Sequence, residues 1–391
     1  MSTRIDGADL QRLIELRHDL HEHPELGYNE VRTSEVVQRE LTRLGIQFRA
    51  GLAGGTGVLG YIPATVPNAQ TVALRADMDA LPIQENTGKL YASQTANVMH
   101  ACGHDGHTTN LLGAATVLSQ TTERPHNILL LFQPAEEGGA GGKRMCEDGV
   151  LDGAVLGGPA DRIFGLHGNP HLPVGQLGTC VGPMMAAADS FHAKVTGKGG
   201  HAAMPHMGID PIVVSSHIVT AWQTIASRNV DPLDSVVVTC GEFHAGVAHN
   251  VIPDSVTLSG TVRTLRKETR ELALRRLVEI ANGIAATFGA TFQIDWMTGY
   301  PVTSNDADAV SRFRAATADY SGYVDPESIT PVMGGEDFSF YGEKTKACFF
   351  WLGLNSNPEV RYANLHAPEF DFNDAALPYG IEAMCRLALN S

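Results

Sequence analysis

The chain has 391 residues, 43% hydrophobic and 18% charged, a globular composition too long for one ordinary core, so two domains are expected. A net charge of -15, from 28 Lys and Arg against 43 Asp and Glu, argues against a nucleic-acid-binding role, which needs a basic face for phosphate contact. The six cysteines are scattered without paired spacing, and no run of about 18 apolar residues occurs, which argues against a disulfide framework and a membrane span.

The opening MSTRIDGADLQRLIELRHDL reads as an amphipathic helix. It lacks the apolar stretch and small-residue cleavage site of a signal peptide, so a cytoplasmic location is expected. Next come apolar runs that read as buried strands: Thr71–Asp79, Asn127–Pro134 and Arg162–His167, with a helix over Thr108–Gln120 between the first two. Continuous apolar strands separated by helices predict a largely parallel sheet covered on both faces. Cys348–Leu354 reads as a late strand returning to that sheet.

The middle of the chain has a different rhythm. Asp189–Lys198 alternates like a half-buried strand, and Asp210–Arg228 has helical periodicity after a proline start. Ser235–Ala245 and Ser255–Thr264 read as strands, Lys267–Gly289 as a helix closed by glycine, and Thr291–Met297 as a last strand. The order β-α-β-β-α-β is the ferredoxin-like unit. The expected organisation is a discontinuous α/β domain, 1–188 and 300–391, with a second domain inserted at 189–299.

Ligands of open parallel sheets bind beyond the carboxyl ends of the strands. Polar residues collect there: Asp77 and Asp79, Glu136 and Glu137, and His167 each follow an apolar strand, and His366 follows the late one. Cys102 and His104, within HACGHDGH, stand just before the predicted helix. Taken singly, Cys102 reads as a small buried hydrophobe and each histidine as a hydrogen-bonded structural residue. Jointly, thiolate, imidazole and carboxylate suit a borderline divalent metal such as zinc, manganese, nickel or cobalt. The set is too large for one catalytic ion with an open position and fits two ions sharing a bridging ligand, a place that suits Cys102. His100 and His107 are left outside the ligand set. Adjacent residues leaving a strand diverge, so one of Glu136 and Glu137 can bind metal while the other takes a proton from water. The glycine-rich GTGVLG is followed by YIPATVP rather than a helix, which argues against a dinucleotide site, and no G-x-S-x-G elbow occurs.

Motifs spread over nearly the whole chain resemble the M20 metallopeptidase family, in its amidohydrolase branch of hippurate hydrolases, N-acyl-amino-acid deacylases and auxin-conjugate hydrolases. They are RHDLHEHPELGYNE (Arg17–Glu30), LRADMDALPI (Leu74–Ile83), HACGHDGH (His100–His107), FQPAEEGGAGG (Phe132–Gly142), GLHGNP (Gly165–Pro170), GKGGHAAMPHMGIDPI (Gly197–Ile212), HNVIPD (His249–Asp254), GTVRT (Gly260–Thr264), GGEDFSFY (Gly334–Tyr341) and LHAPEFDF (Leu365–Phe372). The resemblance implies a zinc-peptidase-like catalytic domain with a lid and dimerisation domain inserted in it. It implies two metal ions held by Cys102, His104, Glu137, His167 and His366, with Glu136 as general base. Asp79 would orient a ligand imidazole, and the part of Asp77 stays open. His201 matches a histidine that polarises the scissile carbonyl, often in the partner subunit's site. Asn250, Arg263 and Gly335 match positions near the substrate, Arg263 as a partner for its free carboxylate. An outward structural ion pair is the competing reading of Arg263.

The expected activity is hydrolysis of an N-acyl amino acid, of the N-benzoyl-glycine or N-acetyl type, by a homodimer, with a tetramer not excluded. The rivals are a dipeptidase or N-acetyl-diaminopimelate deacetylase of the same fold, and a silent metal-binding protein.

Overall fold

The computed structural model describes residues 3–324, 329–357, 359 and 361–391. The chain divides into two compact units. One comprises Met1–Met184, Ser304–Thr330 and Asp337–Ser391; the other comprises Met185–Thr303 and Pro331–Glu336.

The larger unit is built on an eight-stranded sheet. Its spatial order is Gln47–Leu52, Gly57–Ile62, Asn127–Gln133, Thr71–Asp77, Arg162–Pro173, Lys346–Asn355, Gln176–Gly178 and Tyr323–Val324. The four central strands run parallel. They are the apolar runs read from the sequence, and Thr71–Asp77 is buried at every position. Burial on both faces is why these strands do not alternate. Each fully buried Leu or Phe in them, such as Leu74, Leu130, Phe132 and Phe350, contributes roughly 1.5–3 kcal/mol through burial. The hairpin Gln47–Leu52 and Gly57–Ile62 adds an antiparallel edge that the sequence reading left unassigned.

One helix begins earlier than expected. It spans His104–Gln120 rather than starting at Thr108, so His104 and His107 lie on its first turn. Its N-cap is Gly103 at φ +86°, a conformation open to glycine, in place of a Ser, Thr or Asp cap that would have marked the boundary. Gly106 is forced by packing: a Cβ there would lie 2.3 Å from the Phe372 ring.

The smaller unit has a four-stranded antiparallel sheet in the order Val236–Ala245, Ser255–Thr264, Ala187–Thr196, Thr291–Tyr300. Helices Pro211–Thr224 and Lys267–Phe288 pack with it around a core of Phe191, Trp222, Val256, Leu258 and Leu277. Ala187–Thr196 alternates buried and less buried residues, as a sheet covered on one face requires. Among the described residues, no helix is long and apolar enough to cross a membrane.

Candidate metal centre

The polar residues at the strand ends meet. Strand Thr71–Asp77 delivers Asp77, whose carbonyl accepts the Thr108 hydroxyl at 2.8 Å, tying the first turn of helix His104–Gln120 to the strand end. Asp77 Oδ1 accepts from His107 Nδ1 at 2.6 Å and Oδ2 from the Arg75 guanidinium at 2.6 Å. The other nitrogen of His107, Nε2, accepts the Gly168 N–H at 2.8 Å. Both ring nitrogens are therefore used within the protein, which fixes His107 as the neutral Nδ1–H tautomer and leaves it no lone pair for a metal. Burial dominates its lowered pKa. Burial alone would raise Asp77, but the facing His104, the Arg75 guanidinium and the hydrogen bond from His107 hold it well below the usual carboxylate range.

Five side chains face a common space. Cys102 Sγ lies 3.3 Å from His167 Nε2, whose Nδ1 bonds the Gly168 carbonyl at 2.8 Å. His104 Nδ1 is 3.2 Å from Asp79 Oδ1, and the other Asp79 oxygen accepts the Glu137 N–H at 2.9 Å. His366 Nε2 lies 3.2 Å from Glu137 Oε1. That approach lacks hydrogen-bond geometry, for among the described residues Glu137 Oε1 is buried without a hydrogen-bond partner, as is His104 Nε2. Two buried lone-pair atoms with no partner are what a cation would satisfy.

The donors fall into overlapping groups with all atoms within 4.8 Å of one another: Cys102 with His104 and His167, Cys102 with Glu137 and His366, and His104 with Glu136 and Glu137. Cys102, His104 and Glu137 each belong to two of these groups. Burial pushes the Cys102 thiol well up, and Glu137, Glu136 and Asp77 push it further. Only added positive charge would hold that sulfur as a thiolate. Burial keeps His167 neutral, as a ligand must be. In donor chemistry and in orphaned atoms, these residues fit two divalent ions.

Glu136 is buried beside this space, and its Oε1 accepts the Asp337 N–H at 3.3 Å. His366 is held by its backbone: its N–H bonds the Ala101 carbonyl at 2.8 Å, and its φ is +63°. His100 is buried with neither ring nitrogen hydrogen-bonded, and burial pushes its pKa down to about 4.

The remaining predicted residues lie in the smaller unit. His201 is exposed and pairs with Val251 across a two-stranded ladder, and the Asn250 carbonyl accepts the Ala202 N–H at 3.1 Å. Arg263 is half-buried on strand Ser255–Thr264. Among the described residues its side chain has no ion-pair or hydrogen-bond partner, against the reading of a structural ion pair. Its guanidinium packs on Gly335, where a Cβ would stand 3.1 Å from Arg263 Nη1.

Sequence reasoning missed a buried ionic layer behind the centre. Arg75 also bonds Gln133 at 2.9 Å and Asp337 at 3.0 Å. Asp105, next to His104, accepts from Arg17 at 3.0 Å and His21 at 2.9 Å. The available signal was a charged residue inside an apolar or amphipathic run, as with Arg75 in TVALRADMD.

A family model described as peptidase family M20/M25/M40 matches residues 73–390. The chain is 40% identical over 381 residues to the IAA-amino acid hydrolase ILR1-like 5 of Arabidopsis thaliana, covering 96% of this chain and 86% of that one. It is 39% identical over 385 residues to the N-acetylcysteine deacetylase of Bacillus subtilis (strain 168), covering 98% of both. Among solved structures it is similar to the YXEP protein of Bacillus subtilis, described as a dinuclear metal binding peptidase from the M20 family, with a TM-score of 0.85, 36% identity and 98% of both chains covered.

Proposed function

The chain belongs to peptidase family M20/M25/M40 and is a hydrolytic enzyme acting on amide bonds, and from that premise we propose that it is a dinuclear metal-dependent amidohydrolase releasing a free amino acid from an N-acyl amino acid. The observation that carries this reading is the sharing of Cys102 between two donor groups, with His104 Nε2 and Glu137 Oε1 buried and unbonded beside it. Cys102, His104, Glu137, His167 and His366 would hold two ions of manganese, zinc, nickel or cobalt. When bound, the ions would polarise the amide carbonyl and acidify water.

The chain's own residues do the rest. Glu136, adjacent in sequence to a ligand but turned to the Asp337 N–H, takes the proton from water and returns it to the leaving amine. His201 steadies the developing oxyanion. Arg263, without an internal partner, pairs with the substrate's free carboxylate, while Gly335 leaves room for the guanidinium and Asn250 contacts substrate beside His201. His201 pairs with Val251 in a two-stranded ladder that precedes strand Ser255–Thr264, whereas Arg263 stands near the far end of that strand. In line with the family resemblance, His201 is assigned to the partner subunit's site in a homodimer formed through the 189–299 lid. Phe243, Val247, Val251, Met204 and Met207 are exposed apolar residues of that unit and suit such a contact.

The test is amino acid release from a panel of N-acyl amino acids, N-benzoyl-glycine and N-acetyl amino acids among them, with dipeptides alongside. Purified protein is stripped of metal, then given manganese or zinc. Metal-restored release from one acyl class is expected. Release from dipeptides alone would move the assignment to a peptidase, and a protein that binds no metal would end it.

A further inference from the structure

The two glutamates of the centre leave strand Asn127–Gln133 through a backbone conformation that alanine adopts reluctantly. Ala135 has φ +51°, in the left-handed region where an L-residue's Cβ crowds the following carbonyl oxygen. It is 1% exposed, so water does not hold it there. Glu30 does, from 105 residues earlier: its Oε1 accepts the Ala135 N–H at 2.8 Å. Its Oε2 accepts the Thr56 hydroxyl at 2.8 Å, so both oxygens are used. Glu30 is completely buried and stands at the start of helix Val31–Arg43, yet its side chain does not cap that helix.

The rest of the kink is closed around it. The Ala135 carbonyl accepts the Gly141 N–H at 3.1 Å. Gly27 and Gly139 press on Ala135, where a Cβ on either would lie 3.1 Å and 2.7 Å from its atoms. Beyond the kink, the next two residues part company. Glu136 turns its Oε1 to the Asp337 N–H at 3.3 Å, while Glu137 gives its N–H to Asp79 at 2.9 Å and brings its carboxylate to His366.

We propose that Glu30 is a positioning residue for the Glu136–Glu137 pair: its buried carboxylate pins the Ala135 peptide in the left-handed conformation that sends base and ligand in different directions. This rests on the roles proposed above for those two glutamates. Nothing in the motif around Glu30 marks it as part of the centre, since it touches neither glutamate and acts through one backbone N–H.

The experiment uses the full chain as wild type, E30A, E30Q and E30A/A135G. Two readouts are taken: cobalt(II) titration of the stripped protein followed by its visible absorption, and kcat and KM on the best N-acyl amino acid. Alanine at 30 frees the Ala135 N–H, so E30A is expected to lose about 10–100-fold in cobalt affinity and in kcat, as loss of a supporting contact behind a ligand does, with KM little changed. The amide oxygen of E30Q still accepts the Ala135 N–H, so E30Q is expected to stay within about threefold of wild type, a smaller change than loss of such a contact. Glycine takes left-handed φ without the Cβ penalty, so E30A/A135G is expected to recover most of both losses. Wild-type cobalt affinity and kcat in E30A would overturn the proposal. So would a tenfold or larger loss in E30Q, which also decides the matter if E30A does not fold. An inactive wild type that binds cobalt normally would count against the enzymatic reading alone, and an active wild type matched by E30A against this inference alone.

Discussion

One carboxylate, Asp79, grips the two segments that carry the proposed ligands His104 and Glu137: one oxygen holds His104 Nδ1 at 3.2 Å and the other holds the Glu137 N–H at 2.9 Å. The first contact sets which nitrogen of His104 faces the common space, and the second fixes the backbone from which Glu137 projects. Substituting Asp79 with alanine therefore loosens both together. Metal affinity, measured by competition with a chelator, is expected to fall about 10–100-fold. Unchanged affinity in a folded variant would reduce Asp79 to a bystander.

Glu136 and Glu137 are neighbours with different surroundings, and E136Q separates their parts. The variant keeps every proposed metal donor, so two ions per chain are expected by elemental analysis. Turnover is expected to fall by about 100-fold or more, the usual scale of losing a general base. Loss of an ion together with turnover would make Glu136 a ligand instead.

Arg263 has no internal partner among the described residues, so removing its charge leaves no orphaned carboxylate behind. R263M is expected to melt within about 1 kcal/mol of wild type. Its kcat/KM for substrates with a free carboxylate is expected to fall roughly 100-fold. Against the same substrates as primary amides the two proteins should differ little. An equal loss on both series would place Arg263 outside carboxylate recognition.

His21 gives the fold a pH dependence. Burial, the largest single influence, would depress its pKa, but the Asp105 charge and the hydrogen bonds to Asp105 and Glu85 together outweigh it and raise it to about 9. A base raised in the folded state stabilises fully below its ordinary value near 6.5 and loses that contribution as pH climbs through about 9. Thermal melts of wild type are expected to show about 1–3 kcal/mol lost between pH 6.5 and 9.5 that H21N does not lose. Parallel pH curves would mean the His21–Asp105 contact carries no charge.

The elements legible in the sequence were those with a local signature. The four central strands showed as apolar runs because both faces are covered, and the smaller unit's strands and helices showed through their alternation and period. Residue types at strand ends and before the predicted helix gathered Asp77, Asp79, Cys102, His104, Glu136, Glu137, His167 and His366; the family resemblance, not the pattern, narrowed them to five, whose donor atoms stand in overlapping groups in the fold. What stayed hidden depends on partners far away. Arg17 meets Asp105 across 88 residues and Asp371 across 354, and no local pattern encodes either. The start of the His104 helix was hidden because a left-handed glycine did the work of a capping side chain. The role of His107 was hidden too, for only the fold shows that Gly168 takes its second nitrogen.

The strand order also sets a schedule. Lys346–Asn355 inserts beside Arg162–Pro173, yet the whole smaller unit lies between them in the chain. A chain emerging from the ribosome thus presents Cys102, His104, Glu137 and His167 well before His366, whose loop hangs from Ala101 by one backbone hydrogen bond. Under the ligand roles proposed above, the group of Cys102, Glu137 and His366 lacks a member until the chain beyond that late strand is in place. Capture of a second ion would then be one of the last events in folding, and a signal that the larger unit is finished.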